Sequence, residues 1–416
     1  MVHRYYISTY VPHSAWEDIV LDSTHIVEGF VAPGFEAVAD EFERNFRMRG
    51  DIGAAFAAYH RGRLVVDLWG GQARRGRQWN ENTLQLVFSG TKGLLAGCIL
   101  ILVERDQLDL DSPVARYWPE FAQNGKERVL VRHVVSHRAG IPGVVAPLAL
   151  KDIPDFLKIE ALLAEQAIAN DPDAFACYHG LTIGWLCGAL IRRIDGRALG
   201  QFFADEVANP LSLEAWIGLP EREEDRVSVI EIEKPQDWND GDTSDPINNS
   251  IWNNPPLFDP DAFGWNTRAF HAAEIGGAGG IATARSMAKY YGCLSNGGEI
   301  DGIRILREQT IRAGLKERSR FREPYFPEPM AFATVFALQT HKMRFGPATD
   351  AFGHSGAGGS IHGGWPALRT GFSYSMNQMR VDPEDRRSRH LLKSLHQIIV
   401  ERENSLPNKK GENTHA

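Results

Sequence analysis

One run constrains the fold more than any other. The strand-like Leu84-Gln-Leu-Val-Phe88 passes through Ser89-Gly-Thr-Lys92 into the apolar stretch Gly93-Leu-Leu-Ala-Gly-Cys-Ile-Leu-Ile-Leu-Val103. That stretch is far shorter than the ~20 residues that cross a bilayer, and it has no polar face to turn to water. It predicts a helix over Lys92–Arg105 buried on all sides, with Ser89 at a strand-to-helix junction. Enclosing such a helix needs a large interior. A chain of 416 residues, 43% hydrophobic and 24% charged, has the material for one. Single cores stop growing near ~250–300 residues, so two packed lobes are expected.

Upstream, a helix is expected around Phe35–Arg49. Gly53–Gly71 contains two apolar runs about a polar His60-Arg-Gly-Arg63 turn, the signature of a β-hairpin. From Pro113 to about Glu274 the pattern is mostly helical, with helices at Val131–His137 and Leu181–Arg193 and an irregular Pro/Asp/Asn-rich stretch at Pro235–Asp261. Beyond Gly276 the expected order is a helix at Arg285–Leu294, strands at Ala333–Ala337 and Gly371–Met376, and a helix at Ser388–Glu401. Strands at both ends of the chain imply one sheet interrupted by a helical insertion. The reading is an α/β (α+β) fold: residues 1–112 and 276–403 form one discontinuous lobe, 113–275 an inserted, mainly helical lobe, and 404–416 a disordered tail. No fixed-period repeat is seen.

Charge and composition narrow the partners. A formal net charge of −8 repels a phosphate backbone, so nucleic acid is not expected as substrate. Cys98, Cys177, Cys187 and Cys293 lie far apart with no CxxC pair, which reads as reduced thiols and no metal site. The N-terminus lacks the apolar stretch of a secretory signal, and no transmembrane segment is seen; a cytoplasmic protein with no membrane partner is expected. No cofactor is implied, and oligomeric state is not legible.

The chemistry concentrates in three places. In Ser89-Gly-Thr-Lys92, residues i and i+3 share a helix face, so the amine can reach the hydroxyl, and a desolvated lysine can lose its proton near neutral pH. Taken alone, the pair reads more readily as a helix-cap serine with a solvated lysine, and it is the strand before Ser89 and the buried helix after it that favour the chemical reading. A second copy, Ser286-Met-Ala-Lys289, lies within a helix capped by Thr283 and reads as structural. The second place is Tyr178-His179-Gly180, where a phenol opposite Ser-Lys can share the acid and base roles. The third is Phe352-Gly-His-Ser-Gly-Ala-Gly-Gly-Ser360, whose small residues let backbone approach a substrate and donate to an oxyanion. No Walker lysine follows it, Gly277-Ala-Gly-Gly-Ile-Ala282 has no strand leading into it, and neither Gly-x-Ser-x-Gly nor His-Glu-x-x-His occurs.

In order and spacing, with Tyr178 89 residues after Ser89 and His354 176 residues after Tyr178, these elements resemble the β-lactamase-related serine hydrolases: class C β-lactamases, D,D-peptidases and family VIII carboxylesterases. Further runs are similar to the esterase branch: Asp109–Phe121, Ser136-His-Arg-Ala-Gly-Ile-Pro142, Tyr178–Trp185, and Phe352–Gly359 with Met376-Asn-Gln-Met379. The resemblance covers about residues 30–400. It implies the β-lactamase/transpeptidase-like fold, Ser89 as nucleophile, Lys92 and Tyr178 as base and acid, and the N–H groups of Ser89 and Ala357 as oxyanion hole. His179, His354, Ser355 and Gly356 are then expected to face the substrate. The chain departs from many lactamases in having Gly180 where they carry Asn and His354-Ser355-Gly356 where they carry Lys-Thr-Gly. The Gly363-Gly-Trp-Pro366 stretch departs as well.

The expected function is a carboxylesterase hydrolysing small acyl esters through a Ser89 acyl-enzyme. Alternatives with the same acyl-enzyme are an acyltransferase or thioesterase of a biosynthetic pathway, or a β-lactamase or D,D-peptidase; outside enzymes, an inactive scaffold. β-Lactams are expected to be poor substrates, since Gly180 offers no amide and His354, with a reference pKa of about 6.5, is mostly neutral at pH 7. Protonation of His354 below about pH 6 is expected to restore a cation.

Overall fold

Gly53–His60 and Arg63–Arg74 form the anticipated hairpin, because Arg61 (φ 50°) and Gly62 (φ 75°) make a two-residue turn with positive φ at both positions. In a computed structural model, which describes residues 27–232, 244–256, 264–322, 329–380, 382 and 385–405, this hairpin seeds a ten-stranded antiparallel sheet. Its strands are β1 (Val27–Val31), β2 (Gly53–His60), β3 (Arg63–Arg74), β4 (Arg77–Gln78), β5 (Ser319–Arg322), β6 (Pro329–Phe332), β7 (Ala337–Leu338), β8 (Phe352–Ser355), β9 (Ile361–Trp365) and β10 (Thr370–Met376). The order is β1-β3-β2-β10-β9-β8-β7-β6-β5, with β4 on β3. Strands from before and after residues 113–275 thus meet at the β2–β10 pair, where Ala57 stands opposite Ser373.

Every residue of β2 except His60 is buried, as a strand covered on both faces requires. Helices α1 (Glu36–Arg49), α2 (Thr91–Glu104), α3 (Thr182–Asp195), α4 (Ala284–Ser295) and α5 (Arg387–Ser405) provide the cover. α4 packs across β2, β9 and β10. On the opposite face Phe372 meets Trp365, whose ring meets His396 of α5, and α5 packs on α1. Behind α4 lies α2, buried from Thr91 to Leu102 as its composition demands. The two approach closely because Gly93 has no side chain: a Cβ there would stand 1.9 Å from the Tyr291 hydroxyl, and the Tyr290 hydroxyl donates to the Gly93 carbonyl at 2.8 Å.

Residues 113–275 carry α3 and shorter helices at Val131–Val134, Phe156–Glu165, Leu199–Phe203 and Pro246–Trp252. They also add strands: Ala215–Ile217 joins Gly280–Ala282 and Gln85–Leu86 in a three-stranded sheet, and Glu231–Ile232 pairs parallel with Gln378–Met379. Three expectations need correction. Of Ala333–Ala337 only Ala337 is in a strand: Ala333 donates to the Phe336 carbonyl, closing a turn between β6 and β7. The stretch expected to be irregular contains the helix Pro246–Trp252, which Asp245 caps by accepting from the N–H groups of Ile247 and Asn248; the remainder of it, 235–243 and 257–261, lies outside the described residues. α5 continues through Asn404 and Ser405, and 406–416 lie outside the described residues. All four cysteines are free and buried. Among the described residues, no helix is long and apolar enough to cross a membrane.

Candidate active site

Ser89 leaves the small sheet on a tight elbow. Phe88 is forced to φ 45°, a left-handed conformation that costs a residue with a Cβ, and its carbonyl accepts from both the N–H (2.9 Å) and the hydroxyl (2.5 Å) of Thr91. The Thr91 hydroxyl in turn accepts from the N–H of Gly280 at 2.7 Å. The elbow is thereby fastened to the neighbouring strand, and Ser89 emerges half-buried at the head of α2.

Lys92, one turn on, is completely buried. Its Nζ lies 3.0 Å from Ser89 Oγ, 2.7 Å from the Gly180 carbonyl and 2.6 Å from the Gly277 carbonyl. Burial holds its pKa well below that of an ordinary lysine. A neutral amine has two N–H groups and one lone pair. Carbonyls only accept, so Gly180 and Gly277 take the two N–H groups, and the lone pair is left facing the serine hydroxyl. This is the geometry of a base toward Ser89.

Tyr178 donates to Ser89 Oγ at 2.9 Å, and Lys92 Nζ lies 5.0 Å from its ring centroid. The phenol stacks on His137, with centroids 4.8 Å apart and planes at 29°. His137, at φ 62°, accepts the His179 N–H on Nδ1 (2.9 Å), and its carbonyl accepts the Cys177 N–H (3.1 Å). Both neighbours of Tyr178 are therefore tied to His137, whose ring rests on Phe332 of β6 at 4.1 Å. Because Nδ1 accepts, the ring is neutral, and burial lowers its pKa well below the usual range.

The third element is the β8–β9 turn. The Gly356 N–H donates to the Ser360 carbonyl at 3.0 Å, and a Cβ on Gly356 would stand 2.5 Å from the Val87 carbonyl, so only glycine lets this turn lie against the strand leading to Ser89. Ala357 opens the short helical turn Ala357–Gly359 at half-buried depth. Ser355, on the same rim, accepts from the guanidinium of exposed Arg344 at 3.2 Å.

The remaining expected contacts are less direct. His179 is buried, with Nδ1 on the Cys177 carbonyl at 2.6 Å, Nε2 sealed from solvent and its pKa lowered to about 4 by burial. The His354 ring lies 6.2 Å from that of Tyr178 and donates from Nδ1 to the Ser355 carbonyl at 2.9 Å. Burial holds its pKa well below the usual imidazole value, which corrects the expectation of a cation below pH 6. At Gly180 the side-chain position faces Ile251 and Trp252 at 3.7–3.8 Å; the residue serves Lys92 through its carbonyl. The other Ser-x-x-Lys copy is structural: Thr283 caps α4 by accepting the Ser286 N–H, and Lys289 pairs with Asp301 at 2.8 Å. Three participants were not singled out from sequence. His137 stands within a run already noted and carries no motif of its own, while Phe332 reaches the site through strand pairing and Arg344 from the loop between β7 and β8.

Known proteins share this fold and family. The Beta-lactamase family model matches residues 40–397. The chain is 34% identical over 384 residues to the esterase/beta-lactamase LipL of Mycobacterium tuberculosis, covering 86% of this chain and 84% of that protein. A family VIII carboxylesterase structure superposes with a TM-score of 0.83 at 35% identity, over 89% of this chain and 99% of the other. A penicillin-binding protein homologue from Caulobacter crescentus gives 0.84 at 33% identity, over 90% and 100%.

Proposed function

The chain belongs to the beta-lactamase family of serine hydrolases, and from that premise we propose that it is a carboxylesterase that hydrolyses small acyl esters through an acyl-enzyme on Ser89. The observation that carries the reading is Ser89 Oγ held between Lys92 Nζ at 3.0 Å and the Tyr178 hydroxyl at 2.9 Å. Lys92 takes the proton of Ser89 as Oγ attacks the ester carbonyl. The N–H groups of Ser89 and Ala357 receive the oxyanion. On collapse the C–O bond to the alcohol breaks, and the proton from Lys92 passes to the leaving alkoxide through the Tyr178 hydroxyl. Water then attacks the acyl-enzyme by the same relay in reverse, releasing the acid and restoring Ser89.

An ester needs only these three parts. A β-lactam needs in addition a partner for its carboxylate and its side-chain amide, and Gly180 and the neutral, buried His354 supply neither. The similarity to an esterase/beta-lactamase and to a family VIII carboxylesterase supports the ester assignment. The test compares Ser89→Ala with Ser286→Ala on p-nitrophenyl butyrate, with intact-mass detection of the acyl adduct. Ser89→Ala is expected to lose activity by several orders of magnitude and form no adduct, while Ser286→Ala keeps both. Comparable losses in both folded variants overturn the assignment.

A further inference from the structure

A cluster of buried charge lies beneath the β8–β9 turn and takes no part in the chemistry above. Arg387, the first residue of α5, and Asp51, between α1 and β2, both have fully buried side chains. All five guanidinium N–H groups of Arg387 are engaged. Nη1 donates to Asp51 Oδ1 (2.8 Å) and the Gln378 carbonyl (2.9 Å), Nη2 to the Gly358 carbonyl (3.0 Å) and Asp385 Oδ2 (2.7 Å), and Nε to Asp385 Oδ1 (3.0 Å). The Tyr374 hydroxyl, from β10, completes the shell at 2.8 and 2.7 Å from the two Asp51 oxygens.

Burying a guanidinium is costly, and apolar residues of similar volume often stabilise a core as well or better. A positive side chain at a helix N-terminus is also the unfavourable end of the helix dipole. What the arginine provides that an apolar residue cannot is a rigid fork of donors with fixed directions. One prong is aimed at Gly358, the residue after Ala357.

Gly358 sits at φ 83° with Met379 packed against it, where a Cβ would stand 2.5 Å from Met379 Cγ. Its carbonyl is held twice, by Arg387 Nη2 and by the Arg380 N–H at 3.1 Å. At the other end of the turn, Gly356 is tied to Ser360. The turn that carries the Ala357 N–H is thus tied at both ends, and one of the two ties on Gly358 comes from the buried cluster.

We propose that Arg387, oriented by Asp51, Asp385 and Tyr374, is a positioning residue for the oxyanion hole: by holding the Gly358 carbonyl it sets the aim of the Ala357 N–H. The inference rests on the Ser89 acyl-enzyme reading. Deleting one oxyanion donor costs ~10²–10³ in kcat, and a misplacement of about 1 Å near the chemistry costs ~10². Arg387→Lys keeps the charge beside Asp51 but cannot span to Gly358.

The experiment measures kcat and KM of Arg387→Lys on a p-nitrophenyl ester and on the matching thionoester, whose sulfur gains little from an oxyanion hole, with active sites counted from the burst. The expected result is a roughly 10- to 100-fold fall in kcat for the oxygen ester. KM stays within about threefold, and the oxygen-to-thiono rate ratio falls about tenfold or more. The acid limb of the pH profile does not move, because Ser89, Lys92 and Tyr178 are untouched. An unchanged ratio in the folded variant overturns the proposal, since a general loosening slows both substrates alike. Should Arg387→Lys not fold, Tyr374→Phe decides: it removes only the hydroxyl that steadies Asp51, and a severalfold fall in the ratio is expected, with no change counting against the proposal. Ester turnover by Ser89→Ala defeats the underlying reading instead, so the two failures are told apart.

Discussion

Lys92→Met isolates the role of the buried amine. Methionine approximates the lysine stem in length and belongs in an apolar site, so the change removes the amine while largely keeping the packing. An ordinary lysine, with a reference pKa near 10.4, is neutral in only about one molecule in a thousand at pH 7.4, which subtracts ~4 kcal/mol from its use as a base. Here burial moves the pKa far down. The base is active when deprotonated, so kcat/KM should climb through a limb well below pH 10 and level off above it. In Lys92→Met the rate should fall ~10²–10⁴-fold, the span of general-base contributions, and this limb should vanish. The variant also strips the Gly180 and Gly277 carbonyls of their donor, each worth ~1–3 kcal/mol when buried, so thermal melting must establish that the protein remains folded. The assay is hydrolysis of p-nitrophenyl butyrate from pH 5 to 10, with the burst phase separating acylation from deacylation. A folded Lys92→Met protein that keeps the same acid limb would refute the reasoning, because another group would then be the titrating base.

Three further outcomes are expected. His137→Asn keeps an acceptor for the His179 N–H and tolerates the φ of 62°, whereas His137→Phe keeps only the ring; kcat should fall about 10- to 100-fold in the second and clearly less in the first, and equal losses in folded proteins contradict the platform role. Stability should drop on acidification: His179 and His362 have pKa values lowered by burial to about 4 and about 3, so the unfolded chain, titrating near 6.5, binds protons first. The stability present above pH 6.5 is then lost as pH falls, by about 2 kcal/mol for each histidine between pH 7 and pH 5; a flat urea-unfolding free energy over that range counts against it. A cephalosporin should be turned over about 10- to 150-fold less well in kcat/KM than p-nitrophenyl butyrate, in line with a missing charged contact of ~1.5–3 kcal/mol. Any residual lactam binding should change little between pH 7 and pH 5, because burial keeps His354 neutral.

Legibility from sequence followed the range of the interactions. The Arg61-Gly62 hairpin, the buried α2 and the capped α4 are set by residues close together in the chain, through turn chemistry, apolar pattern and a side-chain cap. The turn at Ala333–Phe336 read as a strand because apolar residues that close a buried turn look locally like those that pair. The helix Pro246–Trp252 was hidden by the Pro and Asn around it, although Asp245 before Pro246 is a cap signal.

At the site, the proposed nucleophile and base are three residues apart, and the geometry of one helical turn brings them within reach. The spacing of Ser89 and Lys92, the phenol of Tyr178 and the small residues around Gly356 were therefore properties of the sequence itself. What depended on tertiary structure was everything that crosses the fold: the Gly277 carbonyl on Lys92, the His137 ring under Tyr178, the depth that keeps His354 neutral, and the Arg387 fork beneath Gly358. The physical reason is that desolvation and long-range hydrogen bonds exist only once distant segments are packed together, so a residue's type can be read from the chain, while its charge state and its aim are decided by what surrounds it.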